Sequence, residues 1–249
     1  MKLGGLFSGI GGLELGLERS IPNLHTAWQV EQNTFCQKVL RKHWGVPIYD
    51  DVRTVGAHNL ESVDILCGGF PCQDISIAGK GEGLDGKRSG LWWEFHRIIN
   101  ELRPRVVVME NVSAIIIRGL SAVVGSLAEI GYDCQWTIIS AAQCGAPHLR
   151  NRWFGVAYPT HTNSQRIQEQ PIWSESVGQT RQSECGSSQD AGARQNYWQG
   201  FPTQSPLRRR DDGIPNRVDR LKALGNAVVP QCAEWIGQQI MKSGLLERA

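Results

Sequence analysis

The sequence contains no apolar run approaching the ~18 residues that a membrane-crossing helix needs, so a helical membrane protein is not expected. Its start, Met1-Lys2-Leu3-Gly4-Gly5-Leu6, is short, apolar and strand-like, and runs straight into a glycine loop. The long apolar stretch and small-residue cleavage site of a secretory signal are missing. No Cys-x-x-Cys pair occurs among the seven scattered cysteines, so neither a zinc site nor a disulfide framework is expected, and a reducing cytoplasm fits best. There are no internal repeats. A net charge of +2 is too small to mark a nucleic-acid binder by itself.

What is present is enough apolar material for a core: 41% of 249 residues, sufficient for one large domain, or one domain plus a small lobe. Up to residue 157, short apolar runs alternate with amphipathic stretches. Leu3 to Phe7, Thr26 to Val30, Val63 to Cys67, Val106 to Met109, Trp136 to Ser140 and Trp153 to Ala157 read as strands. Gly11 to Ser20, Thr34 to His43, Leu91 to Leu102 and Leu120 to Ile130 read as helices, the first carrying Leu13 and Leu17 on a different face from Glu14 and Glu18. Uninterrupted apolar strands alternating with helices predict an α/β fold with a parallel sheet covered on both faces.

Composition changes near Tyr158-Pro159. Nine glutamines fall between Gln165 and Gln204, with much Ser and Gly and little apolar periodicity, which predicts either a small loop-rich lobe over 158–220 or a partly disordered stretch. Trp173, Tyr197, Trp198 and Phe201 offer local packing or stacking surfaces. Six basic residues (Arg208, Arg209, Arg210, Arg217, Arg220, Lys222) stand against three acids between Gln204 and Lys222, as a phosphate contact or as a solvated loop. Order resumes at Leu221, with a helix from about Pro230 to Ser243.

Four features carry chemistry. Phe7-Ser8-Gly9-Ile10-Gly11-Gly12 follows a strand and opens a helix, where glycines permit a tight turn and close ligand approach, as they do for several adenosine cofactors. Glu31, about 20 residues on at a strand end, is placed to hold ribose hydroxyls, and Asp51 to accept from an adenine amino group. Cys72, in Gly68-Gly69-Phe70-Pro71-Cys72-Gln73, lies just past a buried strand in a polar turn, where burial explains a cysteine less well than nucleophilic chemistry does. Glu110 directly follows four apolar strand residues, a setting in which a carboxyl is costly unless paired or protonated, and so can donate a proton.

In this order, Phe7-x-Gly9-x-Gly11, Glu31, Asp51, Pro71-Cys72-Gln73, Arg88-Ser89-x-Leu91, Glu110-Asn111-Val112, Arg150-x-Arg152 and Gly225-Asn226-x-Val228 resemble the DNA (cytosine-5) methyltransferase family. The likeness covers residues 3–157 and 217–240. It implies a doubly wound, mostly parallel sheet binding S-adenosylmethionine, with the catalytic unit over 1–157 plus 221–249 and a small target-recognition lobe inserted over 158–220. Phe7, Gly9, Ile10, Gly11 and Gly12 would surround the cofactor, Glu31 would take its ribose, and Asp51 with Val52 its adenine. Gly69, Pro71 and Leu91 would line the methionine side, and Asn226 and Val228 would close the pocket. Cys72 would be the covalent nucleophile on a flipped cytosine, with Glu110 and Arg152 on the base and Arg150 supporting the loop. Gln73, Ser76, Arg88 and the Arg208, Arg209, Arg210 cluster would face nucleic acid. Double-stranded DNA is the implied partner of a monomer, alongside a cognate restriction endonuclease. Where the family commonly has Gln-x-Arg-x-Arg, this chain has His148-Leu149-Arg150-Asn151-Arg152, and the stretch from Arg152 to Lys222 is short for a recognition region.

Three other readings use part of the same pattern. A cytosine-5 methyltransferase of tRNA keeps every motif and changes the substrate. A non-catalytic DNA-binding relative would need none of Cys72, Glu110 or Arg152. A nicotinamide dehydrogenase fits the glycine loop and Glu31 but gives Pro-Cys-Gln and Glu-Asn-Val no role.

Overall fold

The computed structural model describes residues 1–71, 90–160, 172–173 and 215–247. Seven strands form one sheet: β1 (Lys2–Leu6), β2 (His25–Val30), β3 (Ile48–Tyr49), β4 (Ile65–Gly69), β5 (Val106–Val112), β6 (Tyr132–Ser140) and β7 (Asn151–Pro159). Their spatial order is β3-β2-β1-β4-β5-β7-β6, and β7 runs antiparallel to both of its neighbours. The order reverses between β1 and β4, the point at which an open α/β sheet leaves a crevice beyond its strand ends. The glycine loop follows β1 and the segment leading to Cys72 follows β4, so both sequence motifs fall at that crevice.

Helices cover both faces. α1 (Gly12–Ser20) and α7 (Pro230–Ser243) pack on one, where Leu13, Leu17, Ile236 and Ile240 meet Leu3, Cys67, Val106 and Val108. α3 (Leu91–Leu102) and α5 (Leu120–Glu129) cover the other, where Phe95, Ile98, Val123 and Leu127 meet Leu66, Val107 and Met109. α2 (Thr34–His43) follows β2, α4 (Ile115–Arg118) follows β5, and α6 (Arg217–Asn226) precedes α7. Contact between α1 and α7 is close because it runs through glycines. A Cβ on Gly16 would collide with the Pro230 carbonyl oxygen and the Ala233 side chain. The C-terminal helix thus shares one core with β1 and α1.

Two readings of the sequence change. β5 continues through Glu110 to Val112, so Glu110 is a strand residue rather than the residue after one. The alternation that buries Val106 and Val108 under α1 and α7 also carries Glu110 to that face. Glu14 was expected away from the apolar face of α1, yet it is only 1% exposed. The sheet and α7 enclose α1 on two sides, and a helix so enclosed buries more than one stripe.

Candidate active site

A cleft of about 1180 Å³ opens at the crevice between β1 and β4. Its backbone scaffold is the turn after β1, where Phe7, Gly9 and Gly11 have φ of 54°, 56° and 82°. Positive φ is expected at the glycines but costs a bulky residue such as Phe7 on the order of 1–3 kcal/mol. Gly12 sits where a Cβ would strike the Val228 carbonyl oxygen, so the strap between α6 and α7 seats directly on the loop. Phe7, Gly9 and Gly12 line the cleft; Ile10 and Gly11 complete the turn without lining it.

Glu31, one residue past β2, ties this loop together. Its two carboxyl oxygens accept from the backbone N–H groups of Gly9 and Asn33, both at 2.7 Å. Burial pushes its pKa up despite those bonds. Asp51 caps a short turn, accepting from the Arg53 N–H at 2.9 Å, and lines the cleft with Val52. This turn is fastened from behind by Arg97 on α3, which donates to the carbonyl oxygens of Val52 (3.1 Å) and Val55 (2.8 Å). Glu94 and Glu101 hold the same guanidinium, and Glu101 also accepts from the Ala57 N–H. Nothing in the sequence singles out Arg97, because it reads as one charge on a helix surface.

At the other end of the cleft, Glu110 meets Arg152. Arg152 lies opposite Val112 on the antiparallel neighbour β7, which makes it a diagonal, same-face neighbour of Glu110. Arg152 Nε stands 2.8 Å from Glu110 Oε1, but its N–H is not directed at the oxygen, so the contact is an ion pair rather than an aligned hydrogen bond. Burial raises the Glu110 pKa to about 7, opposed first by Arg152 and then by Arg150. Gly69 makes the position possible, since a Cβ there would lie 2.8 Å from Glu110 Oε2. Asn111 turns the other way and donates to the Phe70 carbonyl oxygen at 2.8 Å, holding the backbone two residues before Cys72. Arg150 is engaged elsewhere: its Nη2 donates to the carbonyl oxygens of Gly225 (2.7 Å) and Ala227 (2.8 Å), on either side of Asn226. It positions the strap rather than reaching into the cleft.

Gly69, Pro71, Leu91, Asn226 and Val228 also line the cleft, so the sequence motifs from both ends of the chain converge. Lys222, read from sequence as part of a basic cluster, lines it too, from α6. Cys72, Gln73, Ser76, Arg88, Arg208, Arg209 and Arg210 lie outside the described residues. No group of three or more metal-ligating side chains occurs among the described residues.

The cleft thus combines a doubly wound sheet, a glycine turn, a carboxylate at the end of β2 and a carboxyl–guanidinium pair between β5 and β7. The family is shown by comparison: residues 1–197 match the model of the C-5 cytosine-specific DNA methylases, and the chain belongs to that family. It is 29% identical over 221 residues to the type II methyltransferase M.MspI of Moraxella sp., covering 86% of this chain and 50% of that protein. Identity is 38% over 155 residues to the type II methyltransferase M.CviJI of Paramecium bursaria Chlorella virus IL3A, covering 61% and 41%. The fold matches the structure of Spodoptera frugiperda DNMT2 at a TM-score of 0.53 to 0.55 for structures of this group, 0.55 for that one, with 20% identity over 65% of this chain and 51% of the other. The chain spans about half the length of curated relatives such as M.MspI.

Proposed function

We propose that the chain is an S-adenosylmethionine-dependent DNA (cytosine-5) methyltransferase acting on duplex DNA as a monomer, in company with a cognate restriction endonuclease. The observation that carries this reading is the Glu110–Arg152 pair, with Glu110 near neutrality, set beside the Gly69-Phe70-Pro71 segment that leads into Cys72. The cofactor fits the residues present. Glu31 and Asp51 bring carboxylates to the end where ribose and adenine would lie, and the positive-φ turn lies beside them. Bound S-adenosylmethionine supplies an electrophilic methyl group.

The chain's own residues do the rest. Cytosine C5 is a weak nucleophile until a thiolate adds at C6, and Cys72 supplies that thiolate. The S–C6 bond forms as electron density moves onto N3. Glu110, protonated at a pKa near 7, donates to N3 and accepts from the exocyclic amine, and Arg152 holds O2. C5 then takes the methyl group, N3 returns its proton to Glu110, a base removes the C5 proton, and Cys72 leaves as the C5–C6 double bond re-forms. A base inside a duplex cannot present C6 to a thiolate, so the cytosine is flipped out. Bisulfite sequencing of DNA from a host without cytosine methylation, expressing this chain or Cys72→Ser, tests the reading. Sequence-specific 5-methylcytosine with the chain and none with the variant is expected. Methylation confined to tRNA in the same cells would transfer the activity to RNA, and none in either pool would end the proposal.

A further inference from the structure

Directly under the glycine turn lies a polar cluster that the reaction above does not use. Glu14, on the first turn of α1, is 1% exposed, and neither of its carboxyl oxygens has a partner in hydrogen-bonding geometry among the described residues. Gln29 on β2 is fully buried with both amide atoms in the same state, and so is the Ser8 hydroxyl. These groups share one spot. Gly5 pairs with Gln29 on one side and Cys67 on the other, and the place its Cβ would take is filled by Glu14 Oε1 and bordered by Ser8 Oγ. Glu18, one turn on, is satisfied differently: it accepts from Thr26 and from the Trp44 indole. Ser8 and Glu14 both line the cleft, and Gln29 backs them.

A buried carboxyl with only the neutral Ser8 hydroxyl and Gln29 amide close by, neither aligned on it, is costly to ionise. A cation arriving through the cleft removes that cost. The adenosyl end is assigned above to Glu31 and Asp51, which leaves Glu14, lining the same cleft, for the remaining part of the ligand. We propose that Glu14, with Ser8 beside it, is the seat for the ammonium group of the cofactor's amino-acid end. The inference rests on the S-adenosylmethionine reading above and assigns a residue outside the motifs that led to it.

Calorimetric titration of the full chain with S-adenosylhomocysteine, and with its deaminated analogue that keeps the carboxylate, tests this. Glu14→Gln is expected to weaken the first by about 10- to 100-fold, as for a hydrogen bond to a charged group, and the second by no more than about threefold. Equal weakening of both ligands, or no change in either, overturns the assignment and leaves a structural or water-filled cluster. Ser8→Ala, which removes a hydroxyl from the turn instead of a carboxyl from the interior, carries the test if Glu14→Gln fails to fold; its loss must also favour the amine-bearing ligand. Wild-type protein that binds neither ligand would overturn the cofactor reading itself, which separates the two failures.

Discussion

Arg152 Nε stands 2.8 Å from Glu110 Oε1 across neighbouring antiparallel strands, yet the carboxyl still titrates at about 7. Desolvation is therefore the larger effect and the guanidinium the smaller one. Arg152→Gln removes the cation and leaves the burial, so it is expected to move the Glu110 pKa above 7. Carbon NMR of protein labelled at Glu carboxyls checks this directly in the apoprotein. A pKa that stays put or falls would mean that Arg152 is not the charge opposing desolvation. Glu110→Gln, which cannot give up a proton to N3, is expected to lower methyl transfer by about 10²- to 10³-fold while leaving S-adenosylhomocysteine affinity within a factor of about three.

Arg150 acts on the proposed cofactor pocket through backbone. Its two bonds to Gly225 and Ala227 fix the carbonyls on either side of Asn226, and two charge-assisted bonds represent a few kcal/mol before relaxation. Arg150→Ala is expected to weaken S-adenosylhomocysteine binding by roughly tenfold or more, and Arg150→Lys, a single point charge, to recover part of it. Unchanged affinity in both variants would show that the strap holds itself.

Arg97 does the same for the turn proposed to hold the adenine. With its guanidinium shared among Glu94, Glu101 and the carbonyls of Val52 and Val55, Arg97→Ala frees the turn that carries Asp51. The expected result is a KM for S-adenosylmethionine raised by about tenfold, with kcat at saturating cofactor nearly unchanged, since the turn is remote from Glu110. A fall in kcat at unchanged KM would place Arg97's influence on the reacting end instead.

The sequence made the sheet's edge-to-centre order of motifs readable because each strand is short, apolar and followed by a distinct chemical signal. Phe7-x-Gly9, Glu31, Asp51, Gly69 and Glu110 all reach the cleft as their spacing suggests. What the sequence hid are contacts made between elements far apart in the chain. Arg97 reads as an ordinary surface cation, and the Arg150-x-Arg152 motif does not say what Arg150 holds, because the partners of both are carbonyl oxygens, which carry no residue identity. Glu14 was misread for a related reason: helical periodicity divides α1 into two faces, but α7 arrives from residue 230 onward to cover a second one. The seating of Val228 on Gly12 is legible only once that return is known.

Gly69 offers a test of the active-site geometry that leaves every charged group in place. Gly69 pairs with Glu110 across β4 and β5, and an added Cβ would come to 2.8 Å from Glu110 Oε2, closer than such atoms normally approach. Gly69→Ala is expected to push the carboxyl aside and to lower methyl transfer by at least about tenfold, given how steeply catalysis depends on sub-ångström placement. Melting temperature should change only slightly, because the neighbour that must give is a side-chain end rather than backbone. Full activity in Gly69→Ala would show that Glu110 need not occupy this position during the reaction.

Glu14 yields a prediction on stability whose sign follows from its burial. Its pKa is raised from 4.5 to about 7 by desolvation, with Glu18 adding to the rise and Ser8 and Gln29 lying close enough to oppose it. The folded state therefore binds the proton more tightly than the unfolded chain. The stabilisation linked to that proton is fully present below about 4.5 and is lost as pH rises through about 7, a difference of about 3 kcal/mol at most for a shift of this size. Glu14→Gln keeps the shape and removes the titration. Relative to wild type, the variant is expected to gain stability steadily between pH 5 and pH 8, measured by urea unfolding of the ligand-free protein. A stability difference between the two proteins that does not vary over that range would mean that Glu14 stays ionised in the fold, with a cationic or donor partner at hand even without ligand.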